Sequence, residues 1–154
     1  MFVITETGHD TLREIRARTH ANCVVCGTAN GHGLRLVFRR SEDGSVQATF
    51  ACEKAYEGYA DVLHGGVISS LLDGAMTNCL FSHGHPCVTA ELTVRFRHPV
   101  CTDTTATVRA WMEHCVPPLH VLKAELVQDG QLKATARGKF MEKDCSAGER
   151  QGSD

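Results

Sequence analysis

Apolar residues recur at helical spacing through residues 67–82, directly after the glycine pair Gly65-Gly66. The pattern predicts one long helix with a broad apolar stripe, about 24 Å in length at roughly 1.5 Å per residue. At about 100° per residue, Ser69, Asp73 and Thr77 fall at the border of that stripe. Those three side chains are therefore expected to be partly sheltered, and the stripe itself needs other elements to cover it.

Most of the remaining chain has the pattern of β-strands. Within residues 88–98, apolar and polar residues alternate with the period of two that is typical of a half-buried strand. The pairs Asp43-Gly44 and Asp129-Gly130 predict hairpin turns, and a short helix is expected over residues 11–18. An antiparallel sheet packed on one long helix is an α+β architecture. The six predicted strands cover residues 34–40, 46–50, 88–98, 104–112, 119–127 and 132–140.

The composition is typical of one compact domain. The chain has 154 residues, of which 42% are hydrophobic and 22% charged, with a formal net charge of −2. These values argue against disorder and against a broadly basic surface that binds nucleic acid. No segment has the pattern of a signal peptide or of a membrane span, so a cytoplasmic protein with no membrane partner is expected. We expect a single domain over residues 1–141 and a polar, flexible tail over residues 142–154.

The start of the predicted helix has the chemistry of an anion site. The first N–H groups of a helix have no intrahelical partner, and the backbone dipoles place partial positive charge there. Gly65 and Gly66 carry no Cβ, so a ligand carbonyl can approach their main chain closely. Asp73, two turns further along, is either an ordinary acid on the polar flank or a catalytic base or nucleophile.

The run His64-Gly65-Gly66, with Asp73 nine residues after the histidine, resembles the hotdog-fold thioesterases. The resemblance is to the phenylacetate-pathway (PaaI-like) acyl-CoA thioesterase group in particular, and it covers roughly residues 20–141. Further similar segments occur in the same order, namely Cys23-x-x-Cys26-Gly27, Asn30, Gly33-Leu34-Arg35-Leu36, Tyr56-Glu57-Gly58-Tyr59 and the eight residues from Thr89 to Phe96.

This resemblance implies a hotdog fold and hydrolysis of acyl-CoA thioesters to a free acid and coenzyme A. It implies that the Gly66 N–H, with Gly65 as a second candidate, polarises the thioester carbonyl at the helix N-terminus. Asp73 would act as general base or as nucleophile, and Thr89 would position water or substrate, unless it is simply a β-branched strand residue. The resemblance also implies a homodimer or a dimer-of-dimers tetramer, with sites between subunits.

Two positions depart from the family pattern. Many relatives have an asparagine six residues before the motif histidine, where this chain has Gly58. Many also have a glutamate directly after the catalytic aspartate, where this chain has Gly74. The first difference removes an amide donor, so the backbone, His64 or a water must do more of the polarisation. The second leaves Asp73 as the one carboxylate of this helix, while His64 is either catalytic or a hydrogen-bonded structural group.

Coenzyme A carries phosphates that need cations. Arg95, Arg97 and His98 share one strand end and are our candidates to bind them, with Arg137 and Lys139 on a later strand. The alternative is an ordinary solvated sheet face. Coenzyme A enters as part of the substrate, and no separate cofactor is expected.

Eight cysteines are many for a chain of this length, but their spacing does not resemble a disulfide framework. Cys23 and Cys26, together with His20 and His32, offer four zinc ligands. Structural zinc sites usually use a second closely spaced pair, which this chain lacks. The sequence therefore favours a turn packed by two thiols and closed by Gly27, and no metal site.

Two alternative functions remain. The first is a non-catalytic protein that binds acyl-CoA or a small acyl group, for example as a sensor domain. The second is a hotdog hydratase or dehydratase, which needs an aspartate and a histidine acting together on the substrate carbons. Asp61 and His64 are three residues apart, but their surroundings do not match the hydratase motif.

Overall fold

The computed structural model describes residues 6–143. Helix α1 spans Glu6–Thr19 and helix α2 spans Gly65–Ser82, with a short 3-10 turn at Lys54–Tyr56 between them. The strands are β1 Arg39–Arg40, β2 Val46–Cys52, β3 Cys87–Phe96, β4 Thr104–Val116, β5 Leu119–Gln128 and β6 Gln131–Glu142.

All six strands belong to one antiparallel sheet with the order β1-β2-β4-β5-β6-β3. The sheet packs against α2, which contacts β2, β3, β4, β5 and β6. The α+β architecture predicted from the sequence is therefore confirmed. Among the described residues, no helix has the length and apolar character that crossing a bilayer requires.

The hairpin turns predicted from Asp-Gly pairs are present. Asp129 and Gly130 both have positive φ (51° and 73°) and join β5 to β6, while Gly44 has φ 83° between β1 and β2. Such angles match the turns that connect twisted antiparallel strands, and glycine adopts them without steric cost.

The first predicted strand is shorter than expected. Residues 34–40 were predicted as a strand, but only Arg39–Arg40 pair with β2. The N–H groups of Leu34 and Leu36 donate instead to the carbonyls of Val24 and Val25. The segment therefore pairs with the cysteine-containing loop, and these N–H groups are not available to extend the pairing of β1 with β2.

Helix α2 is more deeply buried than its stripe predicts. Thr77, expected at the border, is only 7% exposed, and Asn78 and Ser82 are buried as well. The reason is that α1 packs against α2 in addition to the sheet. Contact with the loop after α1 is equally close, since a Cβ at Gly74 would lie 2.5 Å from Val25 Cγ1. Ser69 and Asp73, nearer the start of α2, stay partly exposed as predicted.

Strand β3 lies at the edge of the sheet. The predicted alternation of buried and exposed side chains is present in its middle part, where Leu92 and Val94 are partly buried against the core. Val88 and Phe96, which the same pattern predicts to be buried, are 51% and 54% exposed. A register irregularity between Thr89 and Glu91 interrupts the pairing with β6, and none of the described strands covers the outer edge of β3.

Of the tail expected over residues 142–154, Glu142 is the last residue of β6, and residues 144–154 lie outside the described range.

Candidate active site

His64 caps the N-terminus of α2. Its backbone is extended (φ −62°, ψ 135°), and its imidazole Nδ1 accepts a hydrogen bond from the Gly66 N–H at 2.8 Å. The His64 carbonyl accepts from the N–H groups of Val67 and Ile68. The Gly65 N–H makes no hydrogen bond to any residue in the range 6–143. Of the two glycine amides, that of Gly65 is therefore the one free to bind a ligand oxygen.

Gly58 makes room for the imidazole that caps α2. A Cβ at residue 58 would lie 3.2 Å from His64 Cδ2, which is a tight contact. A larger residue at this position would push against the ring. The histidine cap and the glycine that replaces the family asparagine therefore belong to the same local arrangement.

Asp73 and Thr89 form a hydrogen-bonded pair between α2 and β3. The Thr89 hydroxyl donates to Asp73 Oδ1 at 2.7 Å, which leaves Oδ2 available to other partners. Burial raises the pKa of the Asp73 carboxyl, and the hydrogen bond from Thr89 opposes that shift. A half-sheltered carboxylate with one oriented oxygen can accept a proton from water or attack an electrophilic carbon.

The glycine amides and Asp73 of one chain lie too far apart to act on one carbonyl. Asp73 comes eight positions after Gly65 along α2, which corresponds to about 12 Å at 1.5 Å per residue. The structure thus brings the predicted site residues together as two groups, His64 with the glycines and Asp73 with Thr89.

A groove of about 280 Å³ runs beside the start of α2. The ring of Phe96 lies against Gly65, since a Cβ at residue 65 would be 3.5 Å from two of its ring carbons. Arg97 and His98 contribute to the same groove, together with Ile68. The groove joins an apolar wall, a free main-chain donor and two basic side chains.

A second groove of about 310 Å³ lies on the sheet face that points away from α2. Arg95 and Arg97 line it, and neither has an ion-pair partner in the part of the chain that the structure describes. Arg137, also in this groove, is paired through Nε with Glu113 at 2.9 Å. Of the three residues predicted to bind phosphates, Arg95 and Arg97 thus share this groove, whereas His98 lines the groove beside Gly65 with Arg97.

The described residues contain two clusters with metal-ligand side chains. In one, Glu142 Oε1 lies 2.9 Å from His120 Nε2 and 3.2 Å from His85 Nδ1. The hydrogen bond with His120 is the main cause that lowers the pKa of Glu142. The carboxylate thus pairs with both imidazoles, while His120 Nδ1 has no hydrogen-bond partner among the described residues. Sequence reasoning missed this cluster because its members come from β5, β6 and the turn after α2, and no local spacing relates them.

The other cluster joins His20 to Cys23 and Cys26. The sequence offered His32 as a further ligand, but His32 is exposed and is not among the clustered residues, and its N–H donates to Asn30 Oδ1.

Comparison with known families identifies the chain. A family model described as the thioesterase superfamily matches residues 60–135, which include the start of α2, Asp73 and Thr89. The chain belongs to the thioesterase superfamily. No curated protein matches it.

Solved structures confirm the hotdog fold of this superfamily member. The PaaI protein of the phenylacetic acid degradation operon of E. coli is 20% identical, with a TM-score of 0.76 over 92% of this chain and 97% of that one. Another thioesterase superfamily protein is 24% identical, with a TM-score of 0.74 over 79% of this chain and 60% of that one. A hypothetical thioesterase from Streptococcus pneumoniae, solved with coenzyme A, is 19% identical, with a TM-score of 0.66 over 70% of this chain and 85% of that one.

Proposed function

We propose that this superfamily member hydrolyses acyl-CoA thioesters to a free acid and coenzyme A. The observation that carries the proposal is the partly buried Asp73 carboxylate, which accepts a hydrogen bond from Thr89 on a helix that starts with a free glycine amide. The coenzyme A in the structure of the Streptococcus pneumoniae relative supports this substrate class.

A thioester needs little help from a general acid, because its thiol leaving group ionises near pKa 8.5. The requirements are polarisation of the carbonyl and delivery of a nucleophile. The Gly65 N–H is free for the first task, and the Gly66 N–H joins it when the carbonyl oxygen replaces His64 Nδ1 as its acceptor. The Asp73 carboxylate performs the second task while Thr89 orients it.

Asp73 can act in two ways. As a general base it takes a proton from water, whose oxygen then attacks the carbonyl carbon. As a nucleophile it attacks directly, expels the thiolate and forms a mixed anhydride that water hydrolyses. A single turnover in ¹⁸O-labelled water distinguishes the routes. The base route labels the acid product, and attack by water on the Asp73 carbonyl of an anhydride labels the enzyme.

A thiol-release assay over short, long and aromatic acyl-CoAs tests the proposed function. We expect release of free coenzyme A from at least one class. Saturable binding without release would instead identify an acyl-CoA binding protein. A hydratase is disfavoured because Asp61 turns away to the surface, where its carboxylate is 77% exposed and lies 3.7 Å from Lys54 Nζ.

We further propose that each site is shared by two copies of the chain in a homodimer or a dimer of dimers. The separation of about 12 Å between Gly65 and Asp73 along α2 supports this arrangement. The outer edge of β3, with Val88 and Phe96 half exposed, offers a surface for the second copy.

Mixing two inactive variants should restore activity if sites are shared. Gly65→Pro removes the free N–H at a helix position that favours proline, and the extended His64 suits the residue before it. Asp73→Asn removes the carboxylate. Hybrid dimers then contain one intact site, so random reassembly should recover about a quarter of the wild-type rate per chain. If the mixture stays as inactive as its components, the sites are not shared in this way.

The Gly65→Ala variant is the matched control, because it keeps the N–H and its Cβ meets Phe96 at an ordinary distance of 3.5 Å. It should lose less activity than Gly65→Pro, for which we expect a fall of about 10²-fold in kcat. Equal losses would mean that the amide is not the donor.

The pH profile should report the Asp73 carboxyl. Because burial raises its pKa, the acid limb of kcat/KM should lie at higher pH than for an exposed aspartate, and activity should fall as pH drops through that pKa. Thr89→Val removes a hydrogen bond that favours the ionised form, so it should move the limb to still higher pH. Thr107→Val, at an exposed position on β4, is the control. If the acid limb of Thr89→Val lies at the same pH as that of the wild type, Thr89 does not favour the ionised form of Asp73.

We propose that Arg95 and Arg97 bind phosphates of coenzyme A, with His98 contributing from the groove beside Gly65. Replacing Arg95 and Arg97 together by glutamine should raise KM for acyl-CoA by about 10-fold, with a weaker salt dependence. The KM for an acyl-pantetheine substrate, which lacks the nucleotide phosphates, should not change. The control removes two charges elsewhere, Arg18→Gln with Lys54→Gln. Equal effects on both substrates would refute phosphate binding.

A further inference from the structure

The loop that follows α1 brings three metal-ligand side chains together. His20 comes directly after α1, and its N–H donates to the Arg16 carbonyl at 2.8 Å. Cys23 and Cys26 follow at intervals of three residues. One ring nitrogen of the histidine and the two sulfurs all lie within 4.8 Å of one another.

The backbone between the two cysteines is tightly turned around the first sulfur. The Val25 N–H points to Cys23 Sγ at 3.4 Å, and the Gly27 N–H donates to the Cys23 carbonyl at 2.9 Å. A Cβ at residue 27 would lie 2.5 Å from Cys23 N and 2.6 Å from the Ala21 carbonyl oxygen. Only glycine fits after Cys26, so the turn that gathers the two sulfurs is specified by the sequence.

Two buried polar atoms, one in the cluster and one on a residue next to Cys26, have no hydrogen-bond partner among residues 6–143. His20 Nδ1 is one of them, and Asn78 Oδ1, on a side chain that is 0% exposed, is the other. Phe81 supports the histidine ring edge-on, with ring centroids 4.9 Å apart. Buried polar atoms without a partner are costly, so these two indicate that the cluster takes up a group that the chain itself does not supply.

The surroundings of Cys23 favour an ionised sulfur. Hydrogen bonds from the Cys26 thiol and from His20 lower the pKa of Cys23, which favours its ionised form. Cys23 also lies close enough to Asp73 to contribute to the raised pKa of its carboxyl. A thiolate, a second thiol and an imidazole are the ligands that zinc prefers.

We propose that His20, Cys23 and Cys26 bind one zinc ion through the imidazole and both sulfurs. Zinc binding releases the thiol protons of the two cysteines to solvent, so both sulfurs ligate as thiolates. Typical bonds of about 2.3 Å to sulfur and 2.0–2.1 Å to nitrogen require only a small closure of the cluster. Three protein ligands leave a fourth position for water. The ion would stabilise the turn of the loop after α1 that places Val25 against Gly74 of α2, next to the proposed catalytic carboxylate. This reverses the interpretation that the sequence favoured.

Elemental analysis of untagged full-length protein tests the site. Protein purified without chelator should contain about one zinc per chain, and Cys23→Ser and Cys26→Ser should each reduce this at least about five-fold. Cys101→Ser, at an exposed position outside the cluster, is the matched control and should keep the full content. Cobalt added to metal-free wild-type protein should give thiolate charge-transfer absorption. That measurement needs no variant, so it holds even if a cysteine variant fails to fold.

Three results would overturn the proposal. They are wild-type protein that binds neither zinc nor cobalt, zinc that stays at full content in folded Cys23→Ser, and a disulfide between residues 23 and 26 in protein purified without air. None of these measurements uses a thioester, so loss of the zinc site and loss of the proposed hydrolase activity are separate outcomes.

Discussion

Replacing Asp73 by asparagine should lower kcat for thioester hydrolysis by about 10³-fold while the chain stays folded. The amide oxygen can still accept the hydrogen bond that Thr89 now donates to Oδ1, so the contact between α2 and β3 is kept. What disappears is the group that takes a proton or attacks carbon. Steady-state kinetics on the best acyl-CoA from the thiol-release assay gives the measurement.

The matched control is Asp129→Asn. Asp129 lies in the exposed turn between β5 and β6 with φ 51°, a conformation that asparagine tolerates. It should retain wild-type kinetics. An Asp73→Asn enzyme with more than about a tenth of the wild-type kcat would remove this carboxylate from the reaction.

The same substitution should make the protein more stable at neutral pH. Folding raises the pKa of Asp73, so its ionised form is less favourable in the folded state than in the unfolded chain. That cost is present above the folded pKa and is relieved as pH falls through it. The melting temperature of Asp73→Asn should therefore exceed that of wild type at pH 7, with a smaller difference in acid. Catalytic groups commonly carry such a stability cost.

Replacing Gly74 by leucine should destabilise the fold by about 3 kcal/mol. Gly74 is buried where α2 meets the loop after α1, and a Cβ there would lie 2.5 Å from Val25 Cγ1 and 3.1 Å from its Cβ. Leucine favours helices, so the loss measures the clash and not a change in helix propensity. Chemical denaturation gives the free energy of unfolding, and we expect the melting temperature to fall by roughly 6–12 °C.

Gly31→Leu is the matched control, because a Cβ at residue 31 would meet no atom of residues 6–143 within 4 Å. It should change stability by less than about 0.5 kcal/mol. In a Val25→Ala background, Gly74→Ala should cost less than it does in wild type. Equal costs in the two backgrounds would show that Val25 is not what restricts this position.

Gly74 also explains why the chain departs from the family pattern. The sequence shows only that a glycine replaces the glutamate found in many relatives. The structure shows that the space of that side chain is filled by Val25, between the two cysteines of the loop. The glycine at residue 74 and the close packing of this loop on α2 thus belong to one structural arrangement, which a motif comparison does not show.

The candidate site was only partly visible in the sequence. His64, Gly65, Gly66 and Asp73 lie within one local run, so their relation to the start of the helix followed from helix geometry. The hydrogen bond between Thr89 and Asp73 spans sixteen residues and depends on how β3 crosses α2. That His64 caps the Gly66 N–H was equally hidden, because a histidine before a glycine pair can adopt several rotamers.

Local patterns alone were enough to predict the long helix, five of the six strands at nearly full length and both hairpin turns. The reason is that periodicity and turn chemistry act over a few residues. Packing over longer distances decided the rest. Helix α1 packs against α2, and β3 lies at an open edge of the sheet. His20, rather than His32, lies next to the two cysteines. These outcomes depend on which elements meet in space. No spacing along the chain encodes that, because each contact joins segments whose separation is set by the fold as a whole.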